Sequence, residues 1–368
     1  MKQSTVFLMF ALTVGLMAQA VFAKPALRIE KVSVSPKTID ISKGEKAVIS
    51  LETSEAAFLT FTLKDENNNP ILQKHTGLEP AGNHTFEWDG KDETNKFVTT
   101  DAVIYTVDAR TEDGRYARFD PSAETGGQDL ADFHLAIDRK TGRIAYVLPR
   151  AGRARLRMGL AGNLLLRTLF DWQAQEAGRH EIAWDGLDES GEIKMLDHPD
   201  LNLNLNAFSL PDNTIIVSGH SVVYQAPDSA YQPAGAGKHF HYPHPRIECH
   251  EPRFDVMIPE SALQVVTNPK KGEWPPTAPR NDIVVSQSKI PVRVTIDPLD
   301  APDLIRKRFE VMFYLDTQFL YEEEQALTPN TFMVDLSNVQ PGIHFLTVNV
   351  MSYNDHVGVR TIKLEVTA

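Results

Sequence analysis

The phrase Gly82-Asn-His84-Thr-Phe86-Glu-Trp88-Asp89-Gly90-Lys-Asp92-Glu93 returns as Gly178-Arg-His180-Glu-Ile182-Ala-Trp184-Asp185-Gly186-Leu-Asp188-Glu189, 96 residues (178 − 82) further along the chain. A shift of that size equals one small all-β unit, so the repeat marks two sandwich modules in tandem. In each copy His, then Phe or Ile, then Trp fall on alternate positions, which puts them on one face of a strand. Trp-Asp-Gly then ends the strand in a turn, where Gly supplies backbone angles that other residues resist. Trp88, Asp89, Gly90, Trp184, Asp185 and Gly186 are therefore expected to be structural, not catalytic.

These residues resemble the Ig-like module of the flagellar hook-capping protein FlgD and of many bacterial surface proteins, which carries G-x-H-x-x-x-W-D-G-x-D-x-x-G followed by a strand. The second copy matches through Gly191, whereas the first has Asn95 at the last position, a residue that also tolerates left-handed angles. Asp101 to Val107 stands where the resemblance places the closing strand, and Leu201 to Asn206 takes that place in the second copy. The resemblance implies an Ig-like fold over roughly residues 27 to 225. Such modules are spacers, scaffolds and docking surfaces far more often than enzymes, and the capping role itself is not carried over.

Alternation continues near the carboxyl end. Val292, Val294 and Ile296 form one face, as do Phe309, Val311, Phe313 and Leu315, and Asp316-Thr-Gln reads as a hairpin turn. Gln340-Pro-Gly342-Ile-His344-Phe-Leu346-Thr-Val348 resembles a strand entry of bacterial Ig-like or fibronectin-like domains. The expected fold is all-β, with tandem Ig-like or fibronectin-like β-sandwich modules at 24–118, 129–225 and 283–368. A leader at 1–23 and a His-rich, Pro-rich segment at 226–282 complete the division, and the stretch between that segment's two connectors, 239–267, is expected to lie against a neighbouring module.

The leader reading rests on Lys2, the apolar run Val6 to Leu16, and small residues at Val21-Phe-Ala23 where a cut would fall. No later segment approaches the roughly 20 apolar residues of a membrane-spanning helix, so the expected location is periplasmic, secreted or cell-surface. Losing Lys2 takes the formal charge from −12 to −13. A chain this acidic would repel nucleic acid. Cys249 is the one cysteine, so no internal disulfide forms and stability comes from packed cores.

One segment concentrates reactive groups. His239, His241, His244, Cys249 and His250 fall within thirteen residues, and together imidazole and thiolate suit zinc or copper. The spacing matches no standard zinc motif, and the competing reading is a polar interdomain loop. Cys249-His250 also ends like a haem-attachment motif, but Arg246 stands where the first cysteine belongs. The acid pairs Asp89 with Asp92 and Asp185 with Asp188 are candidate calcium ligands, against the reading that they shape turns by accepting turn amides. Arg153, Arg155 and Arg157 alternate with Ala154, Leu156 and Met158. That basic face is either an ordinary solvated surface or a dock for an anionic partner such as a polysaccharide, a phosphate-bearing lipid or an acidic protein.

No nucleophile elbow, Walker loop, zinc-protease or dinucleotide motif is present. The leading reading is a non-enzymatic exported scaffold or adaptor that contacts envelope or surface proteins. The alternative is a periplasmic metal-binding or haem and redox-accessory protein working through the His239–His250 segment with a redox partner.

Overall fold

The computed structural model describes residues 26–160, 164–219, 251–259, 283–286, 288–352 and 356–367. The first module holds β1 (Ile29–Ser35), β2 (Thr38–Asp40), β3 (Ala47–Thr53), β4 (Ala57–Lys64), β5 (Pro70–Glu79), β6 (Gly82–Trp88), β7 (Ala102–Arg110) and β8 (Tyr116–Phe119). One sheet runs β1-β3-β6; the facing sheet contains β7-β4-β5, with β8 beside β7. Strict alternation in β3 and β4 turns Ala47, Ile49, Leu51, Leu59, Phe61 and Leu63 inward. Burying that set removes apolar surface from water at about 25 cal/mol per Å², the main force holding the sheets together.

The second module repeats the plan. It comprises β9 (Ala136–Asp138), β10 (Arg143–Leu148), β11 (Gly152–Leu160), β12 (Leu164–Gln175), β13 (Gly178–Ala183) and β14 (Leu201–Ser209). Its sheets run β9-β10-β13 and β12-β11-β14, which matches β1-β3-β6 and β5-β4-β7 strand for strand. The 96-residue sequence repeat is thus a repeat of topology.

The next strand, β15 (Thr214–Ser218), leaves the second module and returns to the first. It pairs antiparallel with Ala102–Ile104 of β7 and parallel with β2, and its Ile215 and Val217 are buried in the first core. The division expected at residue 225 is corrected accordingly. The β12-β11-β14 sheet is complete without β15, whereas the start of β7 has no other partner on that side, and unpaired backbone groups there would be costly.

The third module contains β16 (Phe254–Met257), β17 (Ile283–Val285), β18 (Lys289–Ile296), α1 (Ala301–Lys307), β19 (Phe309–Leu315), β20 (Gln318–Glu323), β21 (Asn330–Asp335), β22 (Gly342–Ser352) and β23 (Val357–Val366). Its sheets run β16-β18-β21 and β17-β23-β22-β19-β20 around Val292, Val294, Phe313 and Val348. The expected hairpin turn is present, with Asp316 and Thr317 both at positive φ. Phe254–Met257, within the 226–282 segment, pairs antiparallel with β18 as a strand of this module's own sheet. Among the described residues no helix is long and apolar enough to cross a membrane.

Candidate functional site

The repeated turn is built twice from the same bonds. Trp88 is 2% exposed and donates its Nε1–H to the Lys91 carbonyl at 2.7 Å; Trp184, 5% exposed, donates to the Leu187 carbonyl at 2.9 Å. Gly90 and Gly186 take φ of +84° and +82°. A Cβ on Gly90 would lie 2.4 Å from Ile41 Cγ2, so both the angle and the space demand glycine there. Asn95 and Gly191, at φ of +62° and +75°, close the two loops.

The acids act within these loops. Asp92 Oδ1 accepts from the Thr94 and Lys96 amides at 2.8 and 3.0 Å, and Asp188 Oδ1 from the Glu192 and Ile193 amides at 2.7 and 2.8 Å. Bonds to the Lys96 amide and to Thr94 lower the Asp92 pKa. Asp89 pairs with Lys91 at 3.0 Å, and Asp185 accepts from the Leu187 amide at 3.0 Å. The geometry is that of turns stapled by carboxylates. Among the described residues no group of three or more His, Cys, Asp or Glu is placed to hold a metal. His239, His241, His244, Cys249 and His250 lie outside the described residues.

The arginine row departs most from expectation. Arg153, Arg155 and Arg157 do share one face of β11, but they are 4%, 5% and 8% exposed. Neither a solvated surface nor an open dock is formed, because the other two modules cover this face. At one end Arg153 donates Nε to Glu66 at 2.8 Å and Nη2 to Asp101 at 2.7 Å, both in the first module, and Nη1 to the Trp172 carbonyl at 2.6 Å. Burial opposes its charge, yet Glu66 and Asp101 hold its pKa above the usual value. Asp101 also accepts from the Ala174 amide at 2.9 Å, and Ala102, Ala174, Leu210 and Ile216 form an apolar patch beside the pair. In the middle, Arg155 stacks 4.5 Å above the Trp172 ring.

At the other end the third module docks. His356, 1% exposed, meets Asp171 of β12 at 2.7 Å, and the Thr361 amide donates to Ser190 at 2.8 Å. Tyr314 and Met312 of β19 pack against the second core. A cavity of about 460 Å³ remains at this joint, lined by Arg157, Met158, Asn204, Met312, Tyr314 and Asn349 among others. Glu251 also enters the joint. Burial pushes its pKa up to about 7; Glu189 and Asp171 act in the same direction, while Thr168 and Arg157 oppose them. Alternation alone identified the arginines, but nothing in the local sequence signalled Glu66, Asp101, Asp171, Glu251 or His356.

Residues 37–114, spanning the first turn, match the family described as the FlgD Ig-like domain. The match covers one copy. No curated protein matches the chain. Among solved structures, part of a 1.5-MDa bacterial ice-binding adhesin, described for host cell surface retention, is 11% identical over 94% of this chain and 100% of its own, with a TM-score of 0.19. A tetra-tandem repeat from the extending region of a large adhesion protein is 10% identical over 93% of this chain and 74% of its own, with a TM-score of 0.21. The trypsin-activated α2-macroglobulin of Escherichia coli is 10% identical over 93% and 23%, with a TM-score of 0.19.

Proposed function

We propose that this chain is a non-enzymatic exported scaffold or adaptor whose Ig-like modules hold partners at the cell envelope, and that its second module is a further copy of the FlgD type. The observation that carries the scaffold reading is the arginine row. A charged strand face that would otherwise be free to bind is buried, with Arg153 tied by ion pairs to Glu66 and Asp101 of the first module and Arg157 lining the joint to the third, which suits a body that keeps surfaces at fixed separations. The identical strand order and the twice-built turn support the second copy. Export is supported by the charged start and apolar run of residues 1–23.

Small-angle scattering tests the scaffold. A single arrangement of the three modules should fit the profile of the parent chain, and Arg153→Met with Asp171→Asn should loosen it into a distribution. A parent profile that demands freely jointed modules would end this reading. Cell fractionation of a tagged chain should place it outside the cytoplasm, shortened by the leader.

The metal reading of the histidine segment also remains a proposal, supported by the density of imidazole and thiol groups there. Purified, untagged protein should retain near-stoichiometric zinc or copper after dialysis, and replacing His239, His241 and His244 together should abolish it. Because ligands must lose protons to bind, occupancy should fall as pH drops through about 6.5. Absence of metal by elemental analysis, with no rise in melting temperature on adding zinc or copper, removes the site.

A further inference from the structure

The outer face of the β8-β7-β4-β5 sheet has no partner among the described residues, and its side chains form two ordered rows. Across the four strands, Leu78 pairs with Phe58, Phe58 with Arg110, and Arg110 with Tyr116. Leu78, Phe58 and Tyr116 are 44%, 42% and 58% exposed. The next row runs from His75 to Thr60, Asp108 and Arg118. With strands about 4.8 Å apart, the Phe58 and Tyr116 backbones stand roughly 10 Å from each other, with Arg110 between them. A shallow depression of about 730 Å³ opens over this place, and its lining includes Phe58, Thr60, Asp108, Arg110, Glu112 and Tyr116.

The polar groups between the rings are arranged unequally. Asp108 is held by the Tyr116 hydroxyl and by Arg118 at 3.4 Å. Arg110 is exposed and makes no side-chain hydrogen bond or ion pair among the described residues. Two flat rings thus flank a guanidinium with unused donors, next to carboxylates with acceptor capacity.

Three partner classes fit this poorly. A protein interface places its apolar anchors at a dry centre and its charges at the rim, whereas here the charges are central and the rings flank them. A polyanion would meet Asp108 and Glu112 as well as Arg110, on a chain of formal charge −12. A compact apolar ligand would want an enclosed pocket, and this depression is open. A neutral polysaccharide matches each feature. The C–H faces of successive sugars rest on Phe58 and Tyr116, and vicinal hydroxyls exchange hydrogen bonds with the paired donor and acceptors in between.

We propose that this face of the first module binds a neutral, extended polysaccharide, with Phe58 and Tyr116 as stacking platforms and Arg110 and Asp108 as hydroxyl partners. The proposal extends the scaffold reading without depending on it, since a scattering profile that removes the rigid body leaves the face intact. The test is affinity electrophoresis of the full chain through gels containing hydroxyethyl cellulose, dextran or galactomannan, with alginate as the acidic comparison. At least one neutral polymer should slow the chain. Phe58→Ala and Tyr116→Ala should each weaken that retardation at least tenfold. Arg110→Ala, which removes no packed group, should weaken it too, and Phe319→Ala in the third module should leave it unchanged. The proposal is overturned by an absence of retardation with all three neutral polymers, by variants that run like the parent, or by tighter binding to alginate. Self-association in sedimentation that depends on Phe58, without polysaccharide binding, would likewise overturn it and mark the face as a contact between copies.

Discussion

Trp88 and Trp184 show how one residue type can terminate a strand and anchor a core at once. Each indole fills the end of its own sandwich and spends its single donor on the carbonyl three residues on, so no polar atom is stranded by burial. Truncating either to Ala should therefore cost ~3–5 kcal/mol, as a large cavity opens and a turn carbonyl loses its partner. Chemical denaturation followed by fluorescence of the remaining tryptophans would measure it. A cost below ~1 kcal/mol for either would show that the ring does not brace its core. Replacing Asp89 should cost much less than either, because its partner Lys91 is at the surface and exposed ion pairs contribute ~0–1 kcal/mol.

At the scale of elements, β15 is the decisive piece. It supplies Ile215 and Val217 to the first core after the chain has built the whole second module, so the two modules cannot be separated by a cut between them. Ile215→Ala should destabilise the first module by ~2–5 kcal/mol and leave the second nearly untouched. Hydrogen exchange resolved by peptide would locate the loss, which should appear in β7 and β2 and not in β10 or β11. Equal loss in both modules would show that they unfold as one unit. The strands themselves were legible because alternation is a local property: Ala47, Ile49, Leu51 and Phe309, Val311, Phe313 each declare their buried face within a few residues. The return of β15 was not legible, since neighbours in sequence are usually neighbours in space and Thr214–Ser218 follows β14 directly. β12 escaped for a different reason. Three register irregularities against β11, with Trp172 at φ +46°, break the period that would have revealed it.

For the whole molecule, what matters is which faces are covered. The period of Arg153, Arg155 and Arg157 was readable, but their cover comes from Glu66 and Asp101 on one side and from β19, β22 and β23 on the other, all distant in sequence. Local pattern cannot report such contacts. The resulting joint between the second and third modules gathers Asp171, Glu189 and Glu251 with Arg157, Arg167 and His356, and the burial of Glu251 there makes the joint sensitive to pH. Glu251 is raised to about 7 in the folded chain, chiefly by burial. For a group raised in this way, the unfolded chain gives up its proton at lower pH than the folded one. The stability it contributes is complete below the ordinary glutamate range and is lost as pH rises through about 7. Docking of the third module should accordingly weaken between about pH 4.5 and pH 7, by up to ~3 kcal/mol for a shift of this size. Protease accessibility of the joint, compared across that range, reads the effect directly. Glu251→Gln should flatten the response while keeping the module docked at high pH, because the amide preserves shape without the charge. If the parent chain and Glu251→Gln show the same pH profile, the glutamate is not the group that titrates.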